Sequence, residues 1–169
     1  TEVTMAKPHL VVLTGSGISA PSGIPTFRDP DGIWARYNIE EVATPQAWAV
    51  NPDKVNEFYN ERRTQLATVE PNAGHYALAD LEQAYRVTVV TQNVDDLHEQ
   101  GGATGVIHMH GALKSALCAA CGNRWAAPMV MAHGDACPVC TRPSARPDIV
   151  WFGEMPYQMD EIFDHLMET

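Results

Sequence analysis

Two short apolar runs and several helically spaced stretches set the pattern of this protein. His9 to Leu13 is an uninterrupted apolar run bounded by Gly15 and Gly17, and it predicts a buried parallel strand that delivers the backbone into a tight turn. Arg86-Val87-Thr88-Val89-Val90-Thr91 is β-branched through its centre and predicts a second buried strand. Asn51-Pro52 opens a helix with proline at or near its first position, and Val55, Phe58, Tyr59, Arg62 and Leu66 share a face of it up to about Ala67. Pro71 to His75 break the spacing, which resumes from Tyr76 to about Ala84. Val106 to Gly111, read as extended, turns His108 and His110 to one side and Met109 to the other. Pro147 to Glu154 also reads as extended. Met159, Ile162, Phe163, Leu166 and Met167 then recur at i, i+3, i+4, i+7 and i+8, an amphipathic helix. Such a helix needs a sheet to cover, and two long strands are evident.

The stretch between the glycine turn and Pro45 is rich in proline, glycine and aspartate and carries Phe27, Trp34 and Tyr37. It reads as a long irregular loop lying over a ligand. With 169 residues, 45% of them hydrophobic, the protein can bury one core, or a core and a small module. A net charge of −10 and a pI near 5.0 argue against nucleic acid as a partner, since no basic stripe exists to neutralise phosphates. No signal peptide and no membrane span is apparent, which implies a cytoplasmic protein without membrane partners. The acids between Pro147 and Thr169 read as a solvated helix face.

Three groups of residues carry candidate chemistry. Gly15-x-Gly17-x-x-Ala20 fits the dinucleotide fingerprint, in which glycines allow the turn and backbone N–H groups hold a pyrophosphate. A plain glycine turn is the alternative, because the usual acid at the end of a second strand is missing: Glu40 and Glu41 follow no strand run. Gln92, Asn93 and Asp95 follow the second strand and so project to the same sheet edge as Gly15. Any one of them serves as a helix cap, but capping does not account for three. Cys118-x-x-Cys121 and Cys137-x-x-Cys140 are the only cysteines, with fifteen residues between the pairs. Two such pairs present four thiolates to one tetrahedral ion, a structural Zn²⁺.

Gly15-Ser-Gly-Ile-Ser19, Gly23-Ile-Pro25-x-Phe27-Arg28, Thr91-Gln-Asn-Val-Asp95, His110-Gly111, the four cysteines and Arg146-Pro-Asp-Ile-Val-Trp-Phe-Gly-Glu154, in this order, resemble the sirtuins. The similarity is greatest to the bacterial NAD-dependent protein deacylases, including desuccinylase-like members. It implies an α/β fold, a Rossmann-like doubly wound parallel sheet with an inserted zinc module. Residues 1–111 would form the NAD-binding part with a helical insertion over about 21–67, 112–146 the zinc module, and 147–169 a return to the first part. Further family strands, with a Gly-Thr-Ser turn and an Asn-x-Glu, have no counterpart here, so the sheet is expected to be incomplete and the sequence truncated on its C-terminal side.

By the same resemblance Gly15, Ser16, Gly17, Ile18, Ser19, Phe27, Arg28, Trp34, Gln92, Asn93, Val94 and Asp95 bind NAD, and His110 is the catalytic base. Nicotinamide would leave as the acyl oxygen attacks the ribose, and deacylated lysine and O-acyl-ADP-ribose would follow. Val150, Phe152 and Gly153 would pair with an acyl-lysine peptide by strand addition. Tyr59 and Arg62, at i and i+3, match the Tyr-x-x-Arg with which desuccinylase-like members receive an acyl carboxylate, and Ala43 matches a small residue of that pocket. Packing of Tyr59 and snorkelling of Arg62 to solvent is the plainer reading of the same spacing. For the molecule as a whole, a zinc-dependent peptide-binding fragment without NAD turnover is the alternative.

Overall fold

A computed structural model describes residues 5–26, 29 and 33–169. Phe27 and Arg28 lie outside the described residues.

β1 (His9–Thr14) runs into α1 (Ser16–Ser19) and a 3-10 turn over Ala20–Ser22. The expected irregular loop contains short helices: α2 (Ile33–Arg36), α3 (Ile39–Val42) and α4 (Pro45–Val50). Asn38 and Thr44 explain two of these starts, since their side chains accept from the backbone N–H of Glu40 and Ala47. α5 (Pro52–Leu66) is capped by Asn51, which accepts from Lys54 N at 3.2 Å. α6 (Ala73–Asp80) begins earlier than its apolar spacing suggests. Asn72 Oδ1 takes the Gly74 N–H and His75 Nδ1 takes the Asn72 N–H, so the break is itself the cap. Then come β2 (Arg86–Thr91), α7 (Leu97–Gln100), β3 (Val106–His108), β4 (Gly111–Cys118), β5 (Arg124–Ala126), β6 (Ala145–Ile149) and α8 (Met159–Met167).

β1, β2 and β3 form a parallel sheet in that order. The register sets Thr14 beside Thr91 and Thr91 beside His108, so all three strands end at one edge. β1 is less buried than its apolar run implies: among the described residues it pairs with β2 alone, and Leu13 is 64% exposed. α8 covers one face as expected, with Ile162 packed on Val90 and Ile107.

The second sheet, β5-β4-β6, is antiparallel. It joins the first through a sharp corner at Gly111. Its φ of +88°, and the overlap that any Cβ there would have with the Asp148 carbonyl, exclude a side chain. The extended run therefore ends at His108, and residues 109–110 form a turn. Likewise β6 ends at Ile149 and the backbone turns at Phe152-Gly153, where Gly153 has φ +92°. The main core lies between α3, α4, α5 and the start of the second sheet, around Val42, Val55, Phe58, Tyr59 and Trp151. Full burial of one such side chain contributes about 1.5–3 kcal/mol. No helix among the described residues is long and apolar enough to cross a membrane.

Candidate active site

The parallel strands end at one edge, and there a cavity of about 430 Å³ opens beneath α5 and beside the exit of β6. Ser16, Ser19, Trp34, Ala43, Tyr59, Arg62, Gln92, Asn93, Val94, Asp95, His110, Val150, Phe152 and Gly153 all line it. Of the remaining expected residues, Gly15, Gly17 and Ile18 stand in the adjoining turn without lining the cavity.

The turn suits an anion. The first turn of α1 has no side-chain cap; a Cβ on Gly17 would meet nothing within 4 Å, and one on Gly15 only the end of Gln92 at 3.9 Å. Below it lies a buried polar network. Asn93 Nδ2 donates to the Gly15 carbonyl at 2.9 Å, and Asn93 N donates to Thr91 Oγ1. The Asp95 carboxylate is held by the Ser19 hydroxyl at 2.9 Å and the Leu97 N–H at 3.1 Å. Ser19 also lies 3.3 Å from His75 Nε2, and Thr14 Oγ1 lies 2.9 Å from His98 Nε2. Burial lowers the pKa of both histidines, so each is biased toward its neutral form. His75 belongs to the buried network beneath the site and is not marked by the motifs; its spacing of three from Asn72, the capping arrangement, is the signal for it in the sequence.

His110 enters the cavity from the turn before Gly111, with Nδ1 3.2 Å from the Gln92 carbonyl. His108 is engaged at both nitrogens, by the Asn93 carbonyl at 3.0 Å and Glu99 at 3.0 and 3.1 Å. Burial alone would depress its pKa, but Glu99, the Asn93 carbonyl and Asp95 together raise it. Neither His108 nor His98 lines the cavity.

Tyr59 and Arg62 stand together on the α5 wall. Tyr59 is buried, which pushes its phenol up to about 12. Arg62 does not snorkel away: it is half-buried, over the rings of Trp34 and Phe58 at 5.2 and 5.6 Å. Burial lowers its pKa, and no acceptor among the described residues takes its N–H groups. Its neighbour Arg63 faces the other way and is 3% exposed. Arg63 donates to the Leu113 carbonyl and to Asn60 Oδ1, both at 2.7 Å, and its Nη2 lies 3.2 Å from Met131 Sδ. Local spacing does not separate two adjacent arginines, and only the tertiary contact does so.

Trp151 also lines the cavity, although alternation along 150–153 points to its neighbours instead. Its Nε1 donates to Tyr59 Oη at 3.1 Å.

Some distance along the second sheet the four cysteines converge. Cys118 Sγ is 3.6 Å from Cys140 Sγ, and Cys121 Sγ is 3.7 Å from Cys137 Sγ. Those edges match a tetrahedron with Zn–S bonds of about 2.3 Å, whose edge is about 3.8 Å. Each pair is built alike: Cys118 Sγ accepts from the N–H groups of Ala120 and Cys121, and Cys137 Sγ from those of Val139 and Cys140. The Ser144 hydroxyl and the Cys121 N–H hold the Cys118 thiol below its ordinary range, while burial and the neighbouring thiols push Cys121 up, so the four thiols share their protons unevenly in the absence of an ion. The donor set fits Zn²⁺ with full coordination, a structural ion.

Comparison with known proteins places this arrangement. The sequence is 49% identical over 166 residues to an NAD-dependent protein deacylase of Vibrio cholerae, covering 95% of this chain and 68% of that protein. It is likewise 49% identical over 163 residues to an NAD-dependent protein deacylase of Bdellovibrio bacteriovorus, covering 94% and 69%. Against an NAD-dependent protein deacylase of Yersinia pestis it is 48% identical and spans 61% of the relative's length. Among solved structures, a Sir2 homolog–NAD complex superimposes with a TM-score of 0.80 at 43% identity, over 95% of this chain and 63% of that one. A Sir2 complex with deacetylated p53 peptide and 3′-O-acetyl ADP ribose matches with a TM-score of 0.73 at 32% identity, over 95% and 65%. The protein thus spans roughly two thirds of the relatives it matches. With the Sir2 family model matching residues 15–169, and a parallel sheet whose polar edge faces one cavity beside a four-cysteine module, this chain belongs to the Sir2 family.

Proposed function

We propose that this protein provides the substrate and nicotinamide half of an NAD-dependent protein-lysine deacylase, and that its acyl pocket takes succinyl and malonyl groups as well as acetyl. What supports this is that His110, the glycine-turn serines and the Tyr59–Arg62 pair line one cavity. The turn after β1 would hold the pyrophosphate, and Asn93, Val94 and Asp95 would hold the nicotinamide side. NAD, when bound, supplies a ribose carbon from which nicotinamide can depart.

The protein's own groups do the rest. The Gln92 carbonyl accepts only, so it draws the His110 proton to Nδ1 and leaves Nε2 as a base for a ribose hydroxyl. Ser19 and the Leu97 N–H fix the Asp95 carboxylate before any ligand arrives. Phe152 N, bonded to the Ala43 carbonyl at 3.0 Å, fixes the segment over which the peptide strand would lie. On the α5 wall, Arg62 can give two parallel hydrogen bonds to an acyl carboxylate and Tyr59 a third.

Nicotinamide release with NAD and acetyl-, malonyl- or succinyl-lysine peptides tests this reading. Release should require both NAD and peptide and should favour the carboxylated acyl groups. Peptide binding without release would reduce the protein to a binding module, and equal rates would remove the carboxylate part of the reading.

A further inference from the structure

We propose that Trp151 sets the acyl preference of this cavity through Tyr59: its indole N–H occupies the accepting side of the phenol, so Tyr59 meets an acyl group only as a donor. The proposal rests on the acyl-carboxylate reading above and names the residue that makes the pocket one-sided.

A hydroxyl paired with another hydroxyl can reverse its hydrogen bond. An indole N–H cannot, because it only donates. With Trp151 Nε1 3.1 Å from Tyr59 Oη, the phenol oxygen accepts there and its proton must point elsewhere. No acceptor among the described residues takes that proton, and Tyr59 lines the cavity beside Arg62. With its pKa pushed up to about 12 by burial, the phenol keeps that proton at any physiological pH. Arg62 also only donates. The Tyr59–Arg62 pair therefore offers donors alone, and the partner that uses them all is a group that only accepts.

The indole is held firmly enough to impose this direction. Trp151 is 2% exposed, and its backbone N donates to Glu154 Oε1 at 2.9 Å. The Arg146 guanidinium lies 3.7 Å over its ring and grips Glu154 through both terminal nitrogens, at 3.2 and 3.1 Å. Arg146 Nη2 also reaches the Ile149 carbonyl at 2.8 Å. Trp151 touches no reacting atom; it is a positioning residue.

A carboxylate and its carboxamide have nearly the same shape, but the amide turns an NH2 toward the donors and leaves it unsatisfied. The test compares the zinc-loaded protein's affinity for peptides bearing succinyl-lysine, succinamoyl-lysine and acetyl-lysine, by anisotropy of a labelled peptide. Trp151→Phe removes the N–H. Replacement of Trp151 by 3-benzothienylalanine removes it while keeping the bicyclic shape, and so serves if Trp151→Phe melts early. Either change frees the phenol lone pair to accept from an amide, and the succinyl-over-succinamoyl preference should narrow by about fivefold or more while acetyl-lysine affinity stays nearly constant. In a Tyr59→Phe background the same changes should do nothing further to that ratio. An unchanged ratio in both variants, or equal narrowing without the Tyr59 hydroxyl, overturns the proposal while leaving the carboxylate reading in place. A wild-type protein that binds succinyl-lysine no better than acetyl-lysine overturns both.

Discussion

The Nδ1 atom of His110 lies 3.2 Å from the carbonyl oxygen of Gln92, the residue that leaves the central strand at the sheet edge. A side chain from the turn before the second sheet is thereby oriented by the backbone of the first. His110→Ala should lower deacylation by about two to four orders of magnitude and leave peptide and NAD affinities within a few-fold. Rates from the full enzyme and binding by titration check both halves. A variant that keeps most of its rate would move the base elsewhere, against the engagement of His108 and His98 described above.

Arg62→Met keeps most of the aliphatic stem but removes the guanidinium that lies over Trp34 and Phe58. Charge-assisted hydrogen bonds contribute about 1.5–3 kcal/mol each, so desuccinylation should fall at least about tenfold while deacetylation stays within a few-fold. Equal losses on the two substrates would mark Arg62 as structural.

Arg63→Met should act on stability instead. It removes guanidinium hydrogen bonds to Leu113 and Asn60 from a buried site and leaves the Leu113 carbonyl unsatisfied. A loss of about 3 kcal/mol is expected, read as a lower urea midpoint at unchanged slope. No shift in the midpoint would show that the contact is dispensable.

Metal analysis of protein purified without added zinc should find one equivalent per molecule, bound by Cys118, Cys121, Cys137 and Cys140. Chelation at neutral pH should release it together with the near-UV signal of Trp125, which packs against the small core beside the metal module. Four freely titrating thiols in the purified protein would defeat the assignment.

Stability should be greatest near neutrality, because two sets of histidines oppose each other. His75 and His98 have folded pKa values below their unfolded value of about 6.5; the unfolded state binds protons more readily, and stability falls as pH drops below that value. His108 has a raised folded pKa, so its contribution is complete below about pH 6.5 and is lost as pH rises through the folded value. Urea unfolding across this range should show His98→Gln flattening the acid limb and His108→Gln the alkaline one. Limbs that survive both substitutions would assign the dependence to other groups.

The first two strands, α5 and α8 are legible in the sequence because each carries an unbroken period: apolar runs for β1 and β2, i, i+3, i+4 spacing for the helices. β4 is not. A register shift between Gly111 and Ala116 breaks its alternation, and small residues with Lys114 dilute what remains. At the site, motif residues that reach the cavity by local geometry, such as Asn93, Asp95 and Tyr59, can be anticipated. Trp151 and Arg63 cannot, since what matters about each is a partner far away in sequence: Tyr59 for one, Leu113 and Met131 for the other.

The two consecutive arginines of α5 have a wider consequence. Arg62 lines the cavity and lies over Trp34 and Phe58, whereas Arg63 ties the same helix to Leu113 near the start of β4 and to Met131 in the small core beside the cysteines. The dependence runs one way. A change at Arg62 leaves the Arg63 tether intact, but a change that disturbs the cysteine module pulls on the helix that carries Arg62. The cysteine module and the cavity wall are thus mechanically joined through a single helix.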